Sequence, residues 1–98
     1  MGDQYSSGNW HVKSGKESEF IERWTEFLQM ARDAQLGLVS ATLIRDDQDP
    51  KHFVSLAEWE GSGRADWQAL PEFMERYQAC QALCDDSYGS DYERTVAV

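Results

Sequence analysis

The sequence predicts an α+β fold of the ferredoxin-like kind: a four-stranded antiparallel sheet with two helices on one face, in the order βαββαβ. Three observations predict it. Stretches of strand character are interrupted by two stretches whose apolar residues recur at helical spacing. The middle two strands are separated only by the acidic turn Asp46-Asp-Gln-Asp-Pro50 and so read as a hairpin. Each helix stands between strands that it must carry the chain back to, and right-handed crossovers then place the first and third strands side by side at the centre of the sheet.

Residues 5–13 alternate as a strand does, with Trp10 and Val12 on one face and Asn9 and His11 on the other. Ser14-Gly-Lys-Glu17 has the form of a capping box, in which Ser14 accepts from first-turn amides and Glu17 reaches back. The helix that follows, Glu17 to Ala34, carries Phe20, Trp24, Phe27, Leu28 and Ala31 on one stripe, widened by Ile21 and Met30. Gly37 suits a left-handed terminator. Leu38–Arg45 and His52–Glu60 form the hairpin.

Next comes the corner Trp59-Glu-Gly-Ser-Gly-Arg-Ala-Asp-Trp67, with a short helical turn around Trp67. Pro71 is suited to the first position of a second helix, where its missing amide proton costs nothing. That helix is expected to carry Phe73, Tyr77, Cys80 and Cys84 on one stripe. Asp85-Asp-Ser-Tyr-Gly89 is expected to break it, with Tyr92–Val98 as the fourth strand.

Composition bounds the function. At 98 residues the chain is expected to be a single domain over 1–98, with residues 1–4 disordered. A hydrophobic content of 41% supports a core without disulfides. The net charge of −9, with basic residues scattered singly, speaks against nucleic acid and anionic membrane surfaces as partners. The first residues lack the basic and apolar segments of a secretory signal. No apolar run approaches the ~20 residues that span a bilayer, so a cytoplasmic, soluble protein is expected. Cys80 and Cys84, four apart on one helical face, read as small core residues with poor disulfide geometry. Two His and two Cys on separate elements make no zinc or iron site.

The sheet is predicted to be apolar on both faces. The third strand sets Phe53, Ala57 and Trp59 against Val54 and Leu56; the second sets Val39, Ala41 and Leu43 against Leu38 and Ile44. Two helices cover one face only, so the other needs a second cover. A second copy of the same sheet, packed as a two-fold homodimer, supplies it.

With these elements in order the chain resembles the antibiotic biosynthesis monooxygenase family, whose members form dimeric α+β barrels. The resemblance runs from about Asn9 to Val98. It is carried by Val12-Lys-Ser-Gly-Lys-Glu-Ser-Glu-Phe20, by Arg45-Asp-Asp-Gln-Asp-Pro50, by Trp59 to Trp67, and by Leu70-Pro-Glu-Phe73. It implies a small pocket between sheet and helices in each protomer of a dimer packed sheet on sheet. Some members oxygenate polycyclic aromatic phenols with O2 and no metal, haem or flavin. Others bind and open haem, using a strand Asn, a Trp before the second helix and an iron-ligating His on that helix.

Those alternatives select the candidate residues. Trp67 corresponds to the pocket Trp of the haem-degrading members, and its competing role is a corner plug. Trp59, at the end of its strand, reads more as framework, although it can also wall a ligand together with Phe27 and Phe73. Asn9 suits a pocket donor and His11, on the same strand face, a general base; His52, beside the acidic turn, is expected at the surface. Tyr77 stands where the haem-degrading members carry the iron-ligating His, and Arg76 beside it points ~100° away on the helix. The first reading is therefore a cofactor-independent oxygenase acting on a phenol, anthrone or quinol with O2. Asn9, His11, Trp67 and Tyr77 would be catalytic, and Trp59, Phe73 and Phe27 would bind substrate. The alternatives are a haem-binding or haem-degrading monooxygenase and a non-catalytic dimeric module for small aromatics.

Overall fold

A computed structural model describes residues 3–98. The elements run β1 (Gln4–Val12), α1 (Glu17–Asp33), β2 (Leu38–Asp46), β3 (Asp49–Trp59), α2 (Gly63–Gln68), α3 (Phe73–Gln81) and β4 (Cys84–Glu93). The strands form one antiparallel sheet in the order β2-β3-β1-β4, so β1 and β3 are central as expected. The molecule measures 37 × 35 × 18 Å, a slab one sheet and one helical layer thick. Disorder was expected over residues 1–4. Residues 1–2 lie outside the described range, while Gln4 already pairs with Trp59 and Glu93.

Strand alternation puts Trp10 and Val12 of β1, and Phe53, Ser55, Ala57 and Trp59 of β3, under the helices, where all are buried. Helix α1 lays Phe20, Trp24, Phe27, Leu28 and Ala31 onto them; α2 adds Trp67, and α3 adds Phe73 and Cys80. Fully burying such a side chain stabilises by roughly 1.5–3 kcal/mol, so this one aromatic-rich layer carries most of the fold.

Several local expectations change. The capping box does not form: the N-cap is Lys16 and no side chain caps the helix. Helix α1 terminates on left-handed Gln35 (φ 56°), and Gly37 (φ 84°) makes the turn into β2, where its carbonyl accepts from Glu60 N–H at 2.8 Å. A bulge between Leu38 and Ser40 turns Leu38 to the core side with Ala41 and Leu43, and leaves Val39 exposed. The hairpin loop shrinks to two residues, Asp47 and Gln48, with the Asp46 carboxylate accepting from Gln48 N–H at 2.8 Å. Pro71 lies in the turn before α3 rather than in its first position.

The largest correction concerns β4. The acidic segment expected to break a helix is itself the strand, and Cys84 opens that strand instead of ending α3. Residues 94–98, expected in the fourth strand, lie beyond it. Among the described residues no helix is long and apolar enough to cross a membrane.

Candidate active site

A cavity of about 240 Å³ opens between the sheet and the helices. It exists because the inner face of the sheet is small where its strands run beneath α2 and α3. Register places Gly8 of β1 opposite Gly89 of β4 and Ser55 of β3, with Ser6, Ala57 and Ser87 nearby on the same face. Large rings surround this low floor. Trp67, Phe27, Phe73 and Tyr77 wall it from the helices, and Trp10 bounds it on the sheet.

The rings form a connected set. Phe27 packs on Trp67 at 4.4 Å, on Phe73 at 5.2 Å and on Tyr77 at 5.9 Å between centroids. Trp67 meets Phe73 edge-on at 4.9 Å. Edge and offset contacts of this kind fix ring orientation beyond simple burial. Each indole N–H in the set has a partner. Trp10 donates to Ser55 Oγ (3.0 Å), Trp59 to Ser6 Oγ (3.0 Å) and Trp67 to the Phe27 carbonyl (3.3 Å). The tryptophans are therefore held by the protein, and what Trp67 offers a ligand is ring surface.

Of the residues singled out in the sequence, Trp67, Tyr77, Phe27 and Phe73 come together on this cavity. Trp59 is adjacent but behind: it is fully buried and stacks on Trp67 at 5.0 Å, outside the cavity lining. Asn9 and His11 are not part of the constellation. They follow the period of the strand to the outer face, away from Trp10, Val12 and the helices. A one-residue offset along β1 is enough to separate them from Tyr77 and Trp67 by the thickness of the sheet.

On that outer face they join a polar cluster. His11 stacks on His52 with ring centroids 4.5 Å apart and planes 3° apart. His52 bridges Asp46 Oδ2 (3.1 Å) and Asn9 Oδ1 (2.6 Å) through its two ring nitrogens. The Gln48 N–H, followed by His52, holds the Asp46 carboxyl below its ordinary pKa. His52 is thus a bonded, half-buried residue rather than a free surface imidazole. Among the described residues no group of three or more His, Cys, Asp or Glu could hold a metal ion.

Sequence reading missed the polar side of the cavity. The serine floor follows from register rather than from any local pattern. Arg64 and Asp91 meet at the mouth, Nε to Oδ1 at 2.8 Å, across a sequence separation that only the β4 register explains. Arg64 also lies over the Trp67 ring, 5.5 Å from its centroid. The site can hold a flat ring against Trp67, offer hydroxyl partners from the floor and Tyr77, and present one cation at the rim.

Solved structures with this architecture include SnoaB, a cofactor-independent oxygenase from Streptomyces nogalater. In a mutant form it is 20% identical over 100% of this chain and 98% of its own, with a TM-score of 0.88. A conserved protein from Methanosarcina mazei (15% identity, 97% and 95% coverage, TM-score 0.82) and a putative antibiotic biosynthesis monooxygenase from Bordetella bronchiseptica (15%, 98% and 100%, 0.79) share the fold. At such identities the likeness is one of fold. No curated protein sequence gives a match. The sequence profile described as antibiotic biosynthesis monooxygenase matches residues 7–81, and the chain belongs to that family.

Proposed function

We propose that the chain is a cofactor-independent oxygenase that oxidises an electron-rich aromatic of the phenol, anthrone or quinol type with O2. One observation carries the reading: an aromatic-walled cavity over a floor of hydroxyls, of a size for a two-ring or small three-ring ligand. Its about 240 Å³ lies just under the roughly 300–1,000 Å³ typical of pockets for drug-sized ligands. The likeness to SnoaB, described as a cofactor-independent oxygenase, supports the same reading.

The chemistry balances with O2 as sole oxidant. Removing a benzylic or phenolic proton gives a resonance-stabilised anion, which passes one electron to O2. The radical and superoxide then join at carbon. The resulting peroxide anion takes back the proton removed in the first step. The hydroperoxide then loses its remaining C–H proton and its distal hydroxide together as water, leaving a carbonyl. The cavity's part is to hold the ring flat on Trp67, place its oxygens against Tyr77 and the serines, and keep water from the anion.

Haem does not suit the donor set. Among the described residues neither His nor Cys lines the cavity, and Met74 at the mouth is half exposed. Tyr77 packs among Phe27, Phe73 and Trp10, whereas tyrosinate ligation of haem iron calls for a supporting Arg or His. Arg76 turns instead toward Glu26 (3.7 Å). The other alternative, a non-catalytic dimeric module for small aromatics, would use the same cavity beside Trp67, and O2 uptake separates it from the oxygenase.

The active unit in this proposal is a homodimer packed through the outer sheet face. Ile44, Leu56, Tyr88 and Tyr92 share that face and are 58%, 47%, 62% and 55% exposed. An apolar patch of that kind on a monomer marks an interaction surface. The test of the catalytic reading is O2 uptake with a hydroxyanthrone or a dihydroxynaphthalene. Trp67→Ala and Tyr77→Phe are each expected to lower the rate at least tenfold; turnover unchanged in both would sink the assignment.

A further inference from the structure

Among the described residues, Arg64 and Asp91 are the only charged ones lining the cavity. Arg64 is the second residue of α2, and three contacts hold it. Its guanidinium carbon lies 5.5 Å from the Trp67 ring centroid, Nη1 donates to Gln68 Oε1 at 3.3 Å, and Nε donates to Asp91 Oδ1 at 2.8 Å. The partners of the ion pair are unequal. The Arg64 side chain is 20% exposed and that of Asp91 is 64% exposed. The carboxylate, on edge strand β4, can turn outward into water at small cost. The cation, packed on the Trp67 face, stays where it is.

An exposed ion pair between a helix and an edge strand contributes little to stability. In a chain of net charge −9, a guanidinium kept on the lining of an aromatic cavity, with the exposed Asp91 as its one charged neighbour there among the described residues, calls for another role. Guanidinium presents five N–H donors in a planar fork matched to oxyanions, and two of them are engaged here. A ring lying against Trp67 would bring oxygens on its edge to that fork, while hydroxyls farther along the ring would meet the serine floor.

We propose that Arg64 determines which ligands this cavity accepts. The ligand is a flat aromatic carrying an anionic oxygen on the ring, phenolate, enolate or carboxylate, and that oxygen takes the place of Asp91 on the guanidinium. The proposal rests on the cavity being the ligand site and adds the charge state of what it takes. It also assigns Asp91 the part of a placeholder: an internal anion that keeps the cation solvated and oriented until the ligand displaces it.

The test is calorimetric titration of the full chain with a naphthoate and with the neutral, nearly isosteric naphthamide. The wild type is expected to bind the naphthoate about ten- to hundredfold more tightly, the range of a hydrogen bond to a charged group. Arg64→Gln should collapse that ratio to about twofold or less by weakening naphthoate while leaving naphthamide unchanged, and Arg64→Lys should restore part of it. Asp91→Asn, a change at an exposed position that spares the fold, should tighten naphthoate alone, because the internal competitor is gone. A naphthol titrated in two buffers of different ionisation enthalpy then separates the sources of the oxyanion. Proton release on binding marks phenolate recognition, and none marks preference for the carboxylate.

Equal affinity for naphthoate and naphthamide in the wild type overturns the proposal alone. So does a ratio that survives in Arg64→Gln, or naphthoate binding weakened by Asp91→Asn. If neither probe binds, or if Trp67→Ala leaves both affinities unchanged, the cavity is not the ligand site and both readings fall.

Discussion

The indole of Trp59 lies against that of Trp67, ring centroids 5.0 Å apart and planes inclined by 30°, and the two rings do different work. Trp59 is sealed, with its N–H given to Ser6, while Trp67 borders the cavity. Trp59→Ala should therefore destabilise by about 3–5 kcal/mol, the usual cost of emptying an aromatic site in a core. Trp67→Phe keeps a ring in the stack and loses the N–H bond to Phe27, a cost of about 1 kcal/mol. Urea unfolding followed by a ligand titration checks the contrast. Trp59→Ala should move the midpoint most, and Trp67→Phe should weaken ligand binding more than it weakens the fold.

The central strands and α1 were legible because burial writes a period into them. Trp10 and Val12 alternate with Asn9 and His11, and Phe20, Trp24, Phe27 and Ala31 recur at helical spacing. Strand β4 was not legible. Of its residues Cys84 alone is buried, and the rest is held to β1 by backbone pairing, which leaves no hydrophobic signature. The spacing of Tyr77, Cys80 and Cys84 fits a helical stripe equally well, so the sequence extends α3 through the residue at which the chain has already turned into β4. The site divides in the same way. Its helix-borne rings lie on helical stripes that the sequence shows; its serine floor depends on the register of β1 with β3 and β4, and the Arg64–Asp91 pair on that of β4, which no local pattern shows.

Gly8 keeps the floor low. A Cβ there would stand 2.6 Å from Trp10 Nε1 and 2.8 Å from Ser55 Oγ, inside the hydrogen bond that those two atoms make. Gly8→Ala should cost about 1–3 kcal/mol through overpacking and shift the near-ultraviolet signal of Trp10. Gly63→Ala should cost more, because the obstacle there is the Leu36 carbonyl, backbone that cannot swing aside, with Trp59 behind it. Thermal unfolding of the two variants ranks them.

The outer face gives a prediction in a different observable. Leu56 and Ile44 expose apolar surface in the middle of the sheet face that the proposed dimer buries. Leu56→Asp would place a charge at the centre of that interface. If the central contact behaves as an interface hot spot, of about 2 kcal/mol or more, the dimer constant should weaken at least thirtyfold. Sedimentation velocity across a dilution series should then show monomer where the wild type shows dimer. A wild type that sediments as a monomer at all concentrations would remove the interface from the proposal and leave the cavity untouched.

The two thiols set the alkaline limit. Cys80 is pushed up from 9.0 to about 12, first by burial and then by the neighbouring Cys84. Cys84 is pushed up to about 11, first by burial and then by Asp85 and Asp86. A thiol that ionises later in the folded chain than in the unfolded one contributes stability that is intact below about pH 9. That contribution is lost as pH rises toward the folded values, because only the unfolded state can release the proton in between. Stability should therefore fall progressively between about pH 9 and 12. The Cys80→Ala/Cys84→Ala variant should lose the part of that slope due to the thiols. The same burial makes thiolate scarce at neutral pH. Iodoacetamide at pH 8 should leave the folded chain almost unlabelled and modify both cysteines rapidly in urea. Fast labelling of Cys80 in the folded state would show that α3 and β4 open there more readily than their packing implies.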